Sequence, residues 1–228
     1  MFFRKKKPQE NDETILERDL NACVDFTLLD PRAGTKDIEN LCNIAYKNKY
    51  YAVCVNPINV STAASYINRK LQGSIKVVAV IGFPLGANTL ETKVYEAKQA
   101  ISDGADELDV VISISKAREG DMGYIKNELS RIVRCSKKRI VKAIIETCYF
   151  NRDEIIRLCK VCMKAKVDYI KTSTGFGIDG ASPEVVNLIA CTVDGKCLVK
   201  ASGGIKTRAQ GYELIRAGAR RLGTSREI

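Results

Sequence analysis

Ile140-Val141-Lys142-Ala143-Ile144-Ile145-Glu146, then Asn151-Arg152-Asp153-Glu154 opening the run Ile155–Met163, then Tyr169-Ile170-Lys171-Thr172-Ser173-Thr174, form one repeating unit of this chain. The first and last runs are short and nearly all apolar, as parallel strands covered on both faces should be. Asn151 followed three residues later by Glu154 matches a helix capping box. The unit is therefore strand, helix, strand, and its two interior lysines, Lys142 and Lys171, lie 29 residues apart.

Working outward, the same β-rich run recurs at Cys23–Leu28, Tyr51–Asn56, Lys76–Phe83, Leu108–Ser113, Ile140–Glu146, Tyr169–Thr174, Leu198–Ser202 and Arg221–Thr224. Landmarks Asp25, Cys54, Val80, Asp109, Lys142, Lys171, Lys200 and Gly223 are spaced by 29, 26, 29, 33, 29, 29 and 23 residues. That period fits one strand, one helix and two short loops. The intervening segments carry helix signals. Asp37–Tyr46 places Ile38, Leu41, Cys42 and Ala45 on one face, and Ser182-Pro183-Glu184 offers an N-cap followed by proline at the first helical position. Eight such units predict an α/β fold, a closed (β/α)8 TIM barrel; an open doubly wound sheet is the alternative. Residues 1–11 read as a flexible basic tail, and 12–228 as a single barrel domain. Asp12–Ala22 is expected to form a short extra helix before the first strand. The chain stops at Ile228, just past the eighth strand, so little or no eighth outer helix is expected.

Composition narrows the function. At 228 residues and 45% apolar, the chain can bury a substantial core. No apolar run approaches the ~18 residues of a membrane helix. The basic start Met1-Phe2-Phe3-Arg4-Lys5-Lys6-Lys7 runs into Pro8 and polar residues, with no signal-peptide apolar core. The net charge of +10 reads mainly as a lysine-rich solvated surface, with anion or nucleic-acid binding as the other reading. Nine cysteines show no disulfide framework and point to a reducing cytoplasm. Cys159 and Cys162 form a lone CxxC inside a helical pattern and read as buried helix cysteines. The chain has no histidine. That removes Ser-His-Asp and Cys-His machinery and argues against a catalytic zinc. Acid–base chemistry then falls to Lys, Asp, Glu, Tyr, Cys or water.

The unusual residues are three lysines inside apolar strands: Lys142, Lys171 and Lys200, on strands five, six and seven. A charged amine in a strand core is costly unless paired or functional. One such lysine would read as a structural ion pair with Asp109, Asp25 or Glu146; three on consecutive strands read as a site. Crowded ammonium groups depress each other's pKa, and a neutral amine is the form that attacks a carbonyl. Lys171, on the middle strand, is expected to be the most perturbed. Asp109 and Asp25 are in phase to face the lysines. Glycine-rich turns end the last strands, Ser202-Gly203-Gly204-Ile205-Lys206 and Leu222-Gly223-Thr224-Ser225, where barrels of this kind often bind phosphate through backbone N–H groups. Gly175-Phe176-Gly177-Ile178-Asp179-Gly180 matches GxGxxG, with Asp194 further on. It follows the sixth strand and not an opening βαβ unit, so it reads as an active-site loop.

With those residues in place, the chain resembles deoxyribose-phosphate aldolase. The resemblance spans roughly Asp25 to Ser225. It is most specific at Val167-Asp168-Tyr169-Ile170-Lys171-Thr172-Ser173-Thr174-Gly175-Phe176 and Val199-Lys200-Ala201-Ser202-Gly203-Gly204-Ile205-Lys206-Thr207. Gly104–Val111, Lys142–Thr147 and Gly82–Gly86 support it.

The resemblance implies a class I aldolase of deoxynucleoside catabolism. It would cleave 2-deoxyribose 5-phosphate to acetaldehyde and glyceraldehyde 3-phosphate with no cofactor and no metal. Lys171 would form the imine, and Asp109 and Lys200 would relay protons. Asp25, Thr27, Lys142 and Thr174 would support that network, and Gly175, Gly203, Gly204, Lys206, Gly223 and Ser225 would hold the phosphate. The expected partner is the phosphorylated sugar, with a homodimer as the assembly and neither nucleic acid nor membrane as a partner. Two positions depart from the family pattern: Phe26 in Asp25-Phe26-Thr27, where histidine is usual, and Arg226 after Ser225, where a second serine is common. The alternatives are another phosphate-binding barrel aldolase with a different aldehyde donor, or a basic anion- or nucleic-acid-binding protein. The last would call for aromatic platforms beside basic residues, whereas the tyrosines are dispersed.

Overall fold

Alternation along each strand sorts its side chains between two environments. Val53, Val77, Ala79, Leu108, Val110, Val141, Ala143, Ile170, Val199, Ala201 and Leu222 point outward into the main apolar core beneath the helices. The residues between them point into the barrel. The computed structural model describes residues 20–228 and shows eight parallel strands in sequence order: β1 Val24–Leu28, β2 Ala52–Val55, β3 Lys76–Ile81, β4 Glu107–Val111, β5 Ile140–Ile144, β6 Tyr169–Lys171, β7 Leu198–Ser202 and β8 Arg221–Thr224. β8 pairs with β1, with Asp25 opposite Gly223, and closes the barrel. The expected (β/α)8 barrel is the observed fold; the open sheet is not. Residues 1–11, and the extra helix as far as residue 19, lie outside the described residues. Leu20–Cys23 is a 3-10 turn running straight into β1.

The helices are α1 Thr35–Lys47, α2 Val60–Lys70, α3 Leu90–Ser102, α4 Ile114–Arg118, α5 Met122–Cys135, α6 Arg152–Ala165, α7 Pro183–Val193 and α8 Arg208–Arg216. Their starts follow from the sequence. Asn151 and Glu154 close a reciprocal capping box on α6, Ser182 caps α7 with Pro183 at its first position, and Ile38, Leu41, Cys42 and Ala45 are the buried face of α1. Cys159 and Cys162 are buried along α6, and burial pushes the Cys159 thiol up to about 12. Several strands stop short of the apolar runs that announced them. β6 ends at Lys171, not Thr174: Thr172 still bonds β7 through its N–H and hydroxyl, but Thr174 turns its N–H to the Glu146 carboxylate in the loop after β5.

Inside the barrel the wall divides in two. Ala52, Cys54, Val78 and Val80 of β2 and β3 form a separate apolar patch. Facing them, β4 to β8 and β1 project charged side chains. A second charged pair lies outside the barrel: Lys93 of α3 and Glu128 of α5 meet at 2.7 Å with both side chains fully buried. Lys93 Nζ also donates to the Val111 carbonyl at 2.8 Å, and Ser113 N–H donates to Glu128 at 3.0 Å. This pair fixes the chain just beyond β4. Removing one partner leaves a buried charge without compensation, which costs about 3–5 kcal/mol. Urea denaturation should show Glu128→Ala destabilised on that order, with most of the loss recovered in the double variant Lys93→Met/Glu128→Leu.

Candidate active site

Asp109, on β4, is the hub. Its Oδ1 accepts from Lys142 Nζ at 2.8 Å, and its Oδ2 accepts from both Lys171 Nζ and Lys200 Nζ at 2.8 Å each. The three strand lysines thus meet on one carboxylate, although Lys171 pairs in register with Lys200 and Lys142 with Tyr169. Asp25, on β1, takes Lys200 on Oδ2 and Arg221 Nη1 on Oδ1, the latter at 2.7 Å. Glu107, two residues before Asp109 and so on the same face, holds Lys142 at 2.6 Å and Arg221 at 3.3 Å. Arg221 in turn stacks on the Tyr51 ring at 3.5 Å. Four cations and three carboxylates fill the barrel from floor to mouth, one positive charge in excess.

Burial would raise the Asp109 carboxyl, but the ammonium groups of Lys142, Lys171 and Lys200 outweigh it and hold Asp109 well below the ordinary range. Asp25 is lowered in the same way: burial opposes, and Lys200, Lys142 and Arg221 prevail. The sequence suggested that crowding would depress the lysines. For Lys142 and Lys200 the outcome is the reverse. Burial pulls each amine down, yet the adjoining carboxylates, Asp109 foremost, raise both above the usual lysine value. Mutual repulsion loses because each ammonium touches at least two carboxylates. Lys171 touches one. It is also the only member of the cluster that lines the adjoining cavity.

That cavity, about 600 Å³, opens above the cluster. Of the residues expected to act here, Thr27, Thr174, Gly175, Gly203, Gly204, Gly223 and Ser225 line it. Thr27 donates to the Asp25 carbonyl at 2.9 Å. Thr174 is locked by Glu146, whose carboxylate accepts from both its hydroxyl and its N–H, and Thr174 Oγ1 accepts from Phe176 N–H at 3.0 Å. Lys206 does not line the cavity; it is exposed, with its N–H bonded to Gln210 at 2.8 Å. Phe26 also stays out of the charged interior. It faces outward from β1, with its ring 5.4 Å from that of Tyr50. Arg226 is exposed and away from the lining, its N–H bonded to Thr224.

The chain matches the model of the DeoC/LacD family aldolases over residues 12–220. The chain belongs to that family. It is 46% identical over 211 residues to deoxyribose-phosphate aldolase of Thermococcus kodakarensis, covering 92% of this chain and 94% of the relative. It is 47% identical over 206 residues to the enzyme of that name from Clostridium botulinum, covering 90% and 96%. Among solved structures, an aldolase designated QR15 superposes with a TM-score of 0.87 at 41% identity, covering 91% of this chain and 92% of that one. The deoxyribose phosphate aldolase of Aeropyrum pernix, described as tetrameric, superposes at 0.86 with 32% identity, covering 96% and 94%.

In this aldolase the GxGxxG match serves loop packing. A Cβ on Gly180 would lie 2.3 Å from the Gly203 carbonyl oxygen, so the loops after β6 and β7 can touch only because that residue is glycine. Ala181 N–H bonds the same carbonyl at 3.1 Å. Three residues here carry no expectation from the sequence, Glu107 and Arg221 at the floor and Arg32 at the cavity mouth, and Cys54, a strand landmark in the sequence, lies in the apolar wall. Period-two alternation carried the signal for Glu107, which shares a face with Asp109.

Because their folded pKa values are depressed, Asp109 and Asp25 contribute stability that is fully present above the unfolded carboxylate value of about 4 and is lost as pH falls through the folded values. Asp109→Asn leaves Lys171 without a carboxylate and Lys142 and Lys200 with one acid fewer each, and should cost roughly 3–5 kcal/mol at neutral pH. In denaturant titrations at stepped pH, that deficit should shrink only below about pH 4.

Proposed function

We propose that this chain is a class I aldolase that reversibly cleaves 2-deoxy-D-ribose 5-phosphate to acetaldehyde and D-glyceraldehyde 3-phosphate through a Schiff base on Lys171. The observation that carries the reading is that Lys171, alone among three lysines gathered on one buried carboxylate, opens onto a cavity floored by glycine-rich turns. The site's chemistry supports a Schiff-base reaction on a small phosphorylated carbonyl compound, and the relatives supply the name of the substrate.

A neutral Lys171 amine adds to the C1 aldehyde of the open-chain sugar, and loss of water gives the imine. The protonated imine is an electron sink. When a base takes the C3 hydroxyl proton, the C2–C3 bond breaks, its electron pair moves into an enamine on the two-carbon fragment, and C3 leaves as the aldehyde of glyceraldehyde 3-phosphate. An acid returns a proton to C2, and water hydrolyses the imine to acetaldehyde and free Lys171. Asp109 contacts both Lys171 and Lys200, so the proton that Lys171 must shed has a carboxylate at hand, and Lys200 bridges on to Asp25. Lys142 anchors Asp109 from the opposite oxygen. Thr27 and Thr174 stand at the cavity edge, where they would support the proton network. The backbone of Gly175, Gly203, Gly204 and Gly223, with Ser225, forms an uncharged cradle for the phosphate, a use of loop glycines that brings N–H groups close to anionic oxygens. The apolar wall of Ala52, Cys54, Val78 and Val80 keeps the local dielectric low, which strengthens every one of these contacts.

Two further readings accompany this one. The nine cysteines are all free, which supports a reducing, cytoplasmic setting. A homodimer remains the expected assembly; sedimentation velocity giving one dimeric species is the expected result. No helix among the described residues is long and apolar enough to cross a membrane.

Borohydride reduction in the presence of acetaldehyde should label the protein once, and Lys171→Ala should abolish both label and turnover. Retention of the label in that variant would move the imine elsewhere. Lys200→Arg separates charge from proton transfer, since arginine stays protonated. Turnover in that variant should fall by about 100-fold or more, the range typical of a lost general acid–base group, while trapping at Lys171 survives. Near-normal turnover would make Lys200 a purely electrostatic neighbour.

A further inference from the structure

Among the described residues, the glycines and serine of the proposed phosphate cradle include no cation. Among the residues lining the cavity only Lys171 and Arg32 carry positive charge, and Lys171 is committed to Asp109 and to the carbonyl. Lys206 and Arg226, the cations next to the cradle in sequence, do not line it. A phosphate dianion held by neutral donors alone forgoes the stronger, charge-assisted hydrogen bonds that a guanidinium provides.

Arg32 lies in the loop between β1 and α1, beside a second cavity of about 500 Å³. Arg32, Asp30 and Ser225 border both cavities, so Arg32 stands at the junction of the two, which the serine of the cradle also borders. Its side chain is 88% exposed, but its orientation is fixed. Nε donates to Asp30 Oδ1 at 3.0 Å and Nη2 to Oδ2 at 2.7 Å, a bidentate fork, and Arg32 N–H adds a third bond to Oδ1 at 2.9 Å. These bonds hold the Asp30 carboxyl down at about 2, so the fork stays charged on both sides across the working pH range. Nη1 donates to no described residue. A guanidinium has five N–H donors in one plane, so Asp30 uses one edge and leaves the Nη1 hydrogens available.

Resting on the aldolase reading above, we propose that Arg32 is a specificity-determining residue that binds the substrate's terminal phosphate through Nη1 while Asp30 positions it. Asp30 serves a second purpose in this arrangement: it orients a long, exposed side chain that would otherwise lose rotamer freedom on binding. The bridge Asp30–Arg32–phosphate makes the enzyme favour phosphorylated over plain pentoses by charge, where the glycine turns select mainly by shape.

The test compares 2-deoxyribose 5-phosphate with 2-deoxyribose in the full chain and in Arg32→Ala and Arg32→Lys. The expected result is that Arg32→Ala lowers kcat/KM for the phosphorylated sugar by about tenfold, the size of one charge-assisted hydrogen bond at a solvent-exposed site. The ratio of the two substrates should fall by the same factor, and Arg32→Lys should recover part of it. Inorganic phosphate should inhibit Arg32→Ala less than the unmodified enzyme by a similar factor. Equal losses on both sugars, or no loss on either, would overturn the role of Arg32 while leaving the aldolase reading in place. An unmodified enzyme that cleaves neither sugar would overturn both.

Discussion

One carboxylate organises this protein's interior. Asp109 receives three lysine amines, and every other charged group in the barrel is placed by what those amines still require. Lys142 is satisfied from below by Glu107, and Lys200 from the side by Asp25; both acids are then shared with Arg221. Lys171 receives nothing more and faces the cavity. Taking seven ionised groups out of water is costly, and a core of well-packed apolar side chains of the same volume would be as stable or more so. The ion pairs thus stabilise the fold against loss of any one partner, while the cluster as a whole adds no more stability than an apolar core of the same volume would.

The barrel makes that arrangement affordable in space. Parallel strands set neighbouring side chains at fixed register, so residues some thirty positions apart in sequence reach one point without any loop having to carry them. The loops do the less exacting work. Glu146 fixes Thr174, the glycine contact between Gly180 and Gly203 brings two loops together, and the fork of Asp30 on Arg32 sets the mouth. The buried pair Lys93–Glu128 belongs to the same scheme, since it ties down the backbone at Val111, the last residue of the strand that carries Asp109, and at Ser113 just beyond it.

Most of the fold and the centre of the site could be read from the residues alone. The 29-residue period revealed the barrel because each βα unit has a nearly constant length, and lysines within apolar strands stood out because burying an unpaired amine is so unfavourable. The sequence did not reveal how the charges balance. Repulsion among three lysines was visible, but the count of carboxylates within reach was not, so Lys142 and Lys200 emerge with raised and not lowered pKa values. Strand ends were also overrun, as at Thr172 to Thr174, because an apolar or β-prone residue looks the same whether it continues a ladder or turns out of it. Lys206 looked like a phosphate ligand by adjacency, yet its direction depends on a loop path that spacing does not encode. Arg32 has no such signal in the sequence for the complementary reason: it is an ordinary surface arginine until the loop after β1 brings it to the border of the cavity.

The central claim is that Asp109 gathers three amines and leaves only one of them open to a carbonyl. A crystal structure of the enzyme after borohydride reduction with acetaldehyde tests it most directly. An ethyl group is expected on Lys171 Nζ, lying in the cavity, with Lys142 and Lys200 still bonded to Asp109. An ethyl group on Lys142 or Lys200, or an Asp109 carboxylate that has released both of those lysines, would contradict it.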